Sequence, residues 1–390
     1  MRISRTVVAG LASAAIAATG LAGTALTPKT SPQSAQEENG SGVRLNQLQM
    51  IGSHNSYHRE LSPAEQKVQQ AQNPGSVDLW YSHAAIPAQL EDQNIRTLEL
   101  DLVPDSAAGG LYTYPLIRKL TGQGPLTDPV MSQPGIKVMH IPDFDYNGTC
   151  KSLVVCLRQV KAWSDQNPDH VPITISLELK QSDPNVVAAG GVQSPPWDAA
   201  NLDRVDTEIR SVFGENEILT PDDVRKPGLT LEQSVLTRGW PKLDSVRGQV
   251  LFYFDNGGAG AIRDLYRAGK PNLEGRAVFT RGPEGQPDAA ITQVNDPRGA
   301  NQAEIQRLVS KGYLIRTRSD EPMATIREKD FSRVGIALAS GAQVVTTDFP
   351  VAGMAARYDS DFVAKLPGDT PVRCNPVSAP TWCRGNVSER

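Results

Sequence analysis

Gln49-Met-Ile-Gly-Ser-His-Asn-Ser-Tyr-His58 is the stretch that decides how the chain is read. Leu48 to Ile51 is an apolar run suited to a buried strand, and Gly52-Ser53 after it is a turn signal. His54 and Asn55 follow at once. An imidazole moves protons near neutral pH, and an amide oxygen binds a hard cation. Parallel α/β folds place reactive groups in this way, at the carboxyl ends of their strands. One such strand end proves little, but the pattern returns downstream.

Ile95-Arg-Thr-Leu-Glu-Leu-Asp-Leu-Val103 alternates strictly. Glu99 and Asp101 therefore share one face, while Leu98, Leu100 and Leu102 take the other and pack outward. Ile136-Lys-Val-Met-His-Ile141 reads as a strand with His140 near its end, and Val171 to Lys180 as one ending in Glu178 and Lys180. Gln249–Phe254, Ala277–Thr280, Tyr313–Arg318 and Val344–Asp348 bring the expected strands to eight, near positions 49, 97, 138, 175, 251, 278, 315 and 345. Helical spacing falls at Pro63–Asn73, Ser152–Asp165, Leu202–Phe213 and Thr325–Ser340, and a Gly/Pro-rich excursion runs from Pro104 to Pro134. Eight strand–crossover units predict a closed, TIM-like (β/α)8 barrel rather than an open sheet. A doubly wound sheet calls for a glycine-rich phosphate turn after its first strand, and Gly52-Ser-His54 is not one.

The 390 residues carry a net charge of −4 with Lys and Arg scattered, which excludes a nucleic-acid groove. Arg2 and Arg5 precede an Ala-rich apolar run and the small residues Ala22-Gly-Thr-Ala25, so residues 1–26 read as a secretory signal peptide. Residues 27–42 read as a polar, disordered leader, and 43–390 as one barrel domain with a C-terminal extension. No later stretch is apolar enough for a transmembrane anchor. In an oxidising compartment the four cysteines are expected to pair locally, Cys150 with Cys156 and Cys374 with Cys383. A monomeric, extracellular protein is expected.

Collected, the strand-end groups are His54, Asn55, Glu99, Asp101, His140, Glu178 and Lys180, with Arg316 and Asp348 later. Three carboxylates and an amide oxygen prefer Ca²⁺ or Mg²⁺ to zinc. Two histidines beside such a site suit acid and base work, and Lys180 and Arg316 suit a phosphate. The set describes metal-assisted attack on a phosphodiester.

Ser53-His-Asn-Ser-Tyr57, Ile86-Pro-Ala-Gln-Leu90 and Ile95-Arg-Thr-Leu-Glu-Leu-Asp101 resemble the opening of the phosphoinositide-specific phospholipase C barrel. With His140, Ser176-Leu-Glu-Leu-Lys180 and Thr346-Thr-Asp-Phe-Pro350, the chain is most similar to the secreted bacterial calcium-dependent branch. The resemblance implies Ca²⁺ ligation by Asn55, Glu99, Asp101 and Glu178. It makes His54 and His140 the catalytic pair, with His140 as general acid, and gives Lys180 and Arg316 contacts to phosphate or inositol hydroxyls. It further implies a phosphatidylinositol substrate met at a membrane surface. Alternative readings are a glycerophosphodiesterase or sphingomyelinase-D-like enzyme, or a non-catalytic secreted barrel that binds lipid or sugar. His58, His83 and His170 read as surface or loop residues, and Asp348 as either a substrate contact or a structural group.

Overall fold

A computed structural model describes residues 42–256 and 260–389, apart from the side chains at 322 and 323. In chain order its strands are β1 (Leu48–Ser53), β2 (Thr97–Val103), β3 (Lys137–Val138), β4 (Ile173–Leu179), β5 (Val250–Phe254), β6 (Val278–Phe279), β7 (Ile291–Gln293), β8 (Leu314–Arg318), β9 (Val344–Thr347) and β10 (Val372–Cys374). Eight of these run parallel in the order β6-β5-β4-β2-β1-β9-β8-β7. Residues in β1, β2, β5 and β9 are buried throughout, as strands covered on both faces must be. Among the described residues β6 and β7 share no ladder, and the one backbone bridge across the turn that joins them is between Arg281 and Ala289. The architecture is a nearly closed parallel barrel of eight strands, the TIM-like class that the sequence predicts.

Two strand assignments change. The run at Ile136–Ile141 forms only β3, which pairs antiparallel with β2 (Leu102 opposite Val138) and lies outside the barrel. The barrel's remaining member is β7, which the sequence reading did not foresee. The run around β3 owes its apolar character to burial beneath the helix Leu153–Gln166 and the excursion, not to a place in the barrel ring. Strand β1 also continues through Gly52 and Ser53 instead of stopping there. At Gly52, β1 meets Thr97 of β2, and a Cβ on Gly52 would fall 1.7 Å from Thr97 Oγ1. The glycine is a close-approach residue, not a turn residue.

The helix Pro63–Gln72 begins as expected: Ser62 and Glu65 form a capping box, and Pro63 sits at its first position. The expected Thr325–Ser340 helix is two, Pro322–Glu328 and Ser332–Ala339, broken where Lys329 takes a left-handed φ of 53°. The 104–134 excursion packs Tyr112, Ile117 and Met131 against Leu61, Met139 and Tyr146 in a satellite core at the barrel rim. Both local disulfides form, Cys150–Cys156 and Cys374–Cys383. The second lies in the tail that returns as β10 against the start of β1. Farther along that tail, Glu389 pairs with Arg96, so the tail covers the amino end of the barrel. The expected signal peptide (1–26) and leader (27–42) lie outside the described residues, Gly42 excepted. No described helix is long and apolar enough to cross a membrane.

Candidate active site

The alternation of β2 turns Glu99 and Asp101 into the barrel, where they are 1 % and 0 % exposed. The β2–β4 register then sets Asp101 directly opposite Glu178. One carboxylate oxygen from each of Glu99, Asp101 and Glu178 lies within 4.8 Å of the others. Among the described residues Glu99 Oε1 and Asp101 Oδ1 accept no hydrogen bond, and Asp101 Oδ2 has only Lys180, at 3.4 Å. Asn55 follows β1 with a φ of 48°, a conformation asparagine tolerates, and its Nδ2 donates to the Tyr81 hydroxyl at 3.1 Å. That bond commits the amide nitrogen and leaves the oxygen to a ligand. Burial pushes the Glu99 carboxyl up to about 7, with Arg316 holding it back, and pushes Asp101 well above the ordinary carboxylate range. Like charges this deeply buried call for a cation between them. Orphaned carboxylate oxygens and an all-oxygen donor set fit Ca²⁺.

Two histidines stand at this rim, each oriented by an aspartate. His54 Nδ1 lies 2.8 Å from Asp348 Oδ1, while Arg318 donates to Asp348 Oδ2 at 3.0 Å. Arg318 also comes within 3.5 Å of His54 Nδ1, but the shorter contact to Asp348 fixes the proton on Nδ1. Nε2 then faces Glu99 Oε1 at 3.7 Å. Burial, reinforced by Arg318 and opposed by Asp348, holds His54 down to about 3, so its ring is neutral. His140 sits in the turn after β3, where the neighbouring Met139 N–H donates to the Asp101 carbonyl at 3.1 Å. Its Nδ1 is 2.9 Å from Asp145 Oδ2.

An open, polar cavity of about 300 Å³ is lined by His54, Glu99, Glu178, Asp255, Arg316 and Arg318 among others. A larger and chiefly apolar cavity of about 440 Å³, walled by Leu79, Leu116, Leu120 and Phe144, lies beside the rim. The chemistry belongs to the smaller one, whose wall includes His54, Glu99 and Glu178. Lys180 Nζ reaches Glu178 Oε1 at 2.7 Å and Asp101 Oδ2 at 3.4 Å. Arg316 is 2 % exposed and binds Glu99 Oε2 at 2.5 Å and Asn295 Oδ1 at 3.0 Å. Arg318 was not foreseen as a site residue, although its signal was present: two residues beyond Arg316 on a strand, it shares that face. Asp348 proves to be the partner of His54. His58, His83 and His170 occupy loop or bridge positions, but all three are buried, not on the surface. His83 Nε2 holds the His54 carbonyl at 2.8 Å, and His170 is spent on Ser164 and Val171.

A parallel barrel whose mouth carries a carboxylate cluster and two His–Asp pairs has the groups that metal-assisted phosphodiester chemistry requires. The model of the family described as phosphoinositide phospholipase C, Ca²⁺-dependent, matches residues 43–376, and the chain belongs to that family. It is accordingly a calcium-dependent phosphodiesterase, and a calcium site is consistent with the acidic cluster. Among solved structures, a calcium-dependent phosphoinositol-specific phospholipase C from a Pseudomonas species is similar at 17 % identity and a TM-score of 0.51. That match covers 85 % of this chain and 96 % of the other. The myoinositol complex of the Pseudomonas protein matches at 16 % identity and a TM-score of 0.50, over 87 % and 97 % of the two chains. A Ca²⁺-dependent phosphatidylinositol-specific phospholipase C from Streptomyces antibioticus matches at 16 % identity and a TM-score of 0.49, over 79 % and 95 %. At these identities the likeness to the Pseudomonas structures speaks to the fold alone. No curated protein matches the chain.

Proposed function

We propose that the protein is exported and cleaves phosphatidylinositol at a membrane surface, releasing diacylglycerol and an inositol phosphate. The observation that carries this reading is the clustering of three carboxylates at a barrel mouth that also bears two aspartate-oriented histidines, His54 on the wall of the polar cavity and His140 in the turn after β3. Asn55, Glu99, Asp101 and Glu178 would hold Ca²⁺, which when bound supplies positive charge to the phosphoryl oxygens and acidifies a hydroxyl beside it. His140, its Nδ1 committed to Asp145, presents Nε2 as the proton donor to the departing glycerol oxygen. His54, neutral and held through Nδ1 by Asp348, has Nε2 for contact with the phosphoryl group and for accepting the proton of the attacking inositol hydroxyl. Lys180, 21 % exposed at the mouth, reaches the phosphate. Arg316 is spoken for by Glu99 and positions that ligand, while Arg318, 16 % exposed beside His54, takes the phosphate-facing place. Two disulfides and the basic, apolar, small-residue order of the N-terminus support export.

The test is cleavage of phosphatidylinositol vesicles with Ca²⁺ and with chelator, reading diacylglycerol and inositol phosphate together. Both products are expected with Ca²⁺ alone. Activity that survives chelation removes the metal assignment. If phosphatidylinositol is untouched while a glycerophosphodiester or sphingomyelin is cut, the head group is wrong and the barrel chemistry stands.

A further inference from the structure

Asp145 is held from two sides. One oxygen takes His140 Nδ1 at 2.9 Å, and the carboxylate also takes His58 Nε2 at 3.0 and 3.1 Å. The other ring nitrogen of His58, Nδ1, lies 3.1 Å from the Tyr81 carbonyl oxygen. A carbonyl and a carboxylate both accept, so each nitrogen of His58 must donate, and a ring that donates twice is an imidazolium. His58 and Asp145 are 0 % and 1 % exposed, so water supplies no other partner. The His54 pair is built alike, with Arg318 as the cation on the far oxygen of Asp348.

We propose that His58 is a positioning residue: it stands as a permanent cation behind Asp145, fixing His140 with its proton on Nδ1 and leaving Nε2 for the substrate. This rests on the reading of His140 as the acid. Because Asp145 divides its charge between two imidazoles, removing the charge of His58 would leave the whole carboxylate to His140. The groups facing His58 agree with the assignment. From the turn after β3 come Asp145 and, at 6.4 Å between ring centroids, His140. From the loop after Trp80 come the Tyr81 ring at 4.7 Å and, acting through space, His83; from the end of β9 comes Asp348. The two acids among them are placed to keep His58 charged. Burial opposes that charge, but Asp145 outweighs it and His58 lies above its ordinary value.

The experiment is two-bond ¹H–¹⁵N correlation of histidine-labelled protein, whose five imidazoles are few enough to resolve. Assignment uses His140→Asn and His58→Gln. His58 is expected to show two protonated nitrogens, and His140 a proton that stays on Nδ1 when Nε2 has given up its own. In His58→Gln, which keeps one donor to Asp145 and loses the charge, the His140 midpoint should rise by about half a pH unit or more. A bare nitrogen on His58, an Nε2–H tautomer at His140, or a folded His58→Gln with an unmoved midpoint would each overturn the proposal. If His58→Gln does not fold, the wild-type spectrum decides alone. The spectra need no turnover: the expected pattern in a protein that cleaves no phosphatidylinositol upholds the arrangement and sinks the catalytic reading instead.

Discussion

Asp145 holds two imidazoles at the rim, and its effect on stability has a definite pH window. Burial works against its ionised form, but His58 and then His140 overcome this and bring it from 3.8 down to about 2. A group whose folded value is depressed contributes stability that is present above the unfolded value and is lost as pH falls through the folded one. Urea unfolding of wild type and Asp145→Asn should therefore differ by an Asp145 term of about 2 kcal/mol above pH 4 that shrinks as the pH approaches 2. A gap that stays constant from pH 5 to 2.5 would mean that Asp145 is not held this way. The single residues legible in the sequence were those whose direction is fixed by strand phase: Glu99 and Asp101 two apart, and His54 and Asn55 just past a strand. His58 was not legible. Its aspartate is 87 positions away and its Tyr81 carbonyl 23, and no local pattern announces a contact that only the folded rim creates. Asp348 was legible as a strand-end group but not as the partner of His54, 294 positions away.

At the scale of elements, the sequence revealed the strands with long apolar or alternating runs and misread two of the short ones. β3 and β7 are two and three residues long, too short for periodicity to separate a barrel member from an outlying pair. The β6–β7 connection explains the difficulty further, because a Gly/Pro-rich turn (Gly282-Pro-Glu-Gly-Gln-Pro287) replaces the usual helix and removes the alternation that flags a βαβ unit. Something must hold this seam where no ladder does, and Asp288 is placed to do it. It accepts from Arg263 Nε at 2.8 Å, on the helix Ala261–Tyr266, and from Thr280 Oγ1 at 2.6 Å, at the end of β6. Asp288 is 0 % exposed and Arg263 4 %. Asp288→Ala would strand a buried guanidinium and is expected to destabilise the fold by about 3 to 5 kcal/mol. Hydrogen exchange should show β6 and β7 opening ahead of β2 and β4. Unfolding within about 1 kcal/mol of wild type, or opening spread evenly round the barrel, would show that the seam has another clasp.

On the scale of the whole molecule, the proposed calcium ligands come from three neighbouring places in the sheet: the turn after β1 (Asn55), the end of β2 (Glu99, Asp101) and the end of β4 (Glu178). A cation held there joins adjacent strands of a barrel that, among the described residues, lacks a complete ring of ladders, and it offsets the burial and, after it, the mutual repulsion that raise Glu99 and Asp101. Ca²⁺ should therefore act on stability as well as on turnover. An ion that binds the folded state alone adds about 2.7 kcal/mol when free Ca²⁺ exceeds its dissociation constant about a hundredfold. The midpoint of thermal unfolding should rise with Ca²⁺, return with chelator, and rise less with equal Mg²⁺, which dehydrates reluctantly and demands near-octahedral geometry. Asp101→Asn should lose most of the Ca²⁺ shift; its own ion-free midpoint should be at or above that of wild type, because it removes a carboxyl that is costly to ionise where it stands. A Ca²⁺ shift that persists in full in Asp101→Asn would move the stabilising ion out of the barrel mouth. A wild-type midpoint indifferent to Ca²⁺, in a protein whose phosphatidylinositol cleavage still requires it, would mean that the ion is recruited with the substrate instead of being held by these four residues alone.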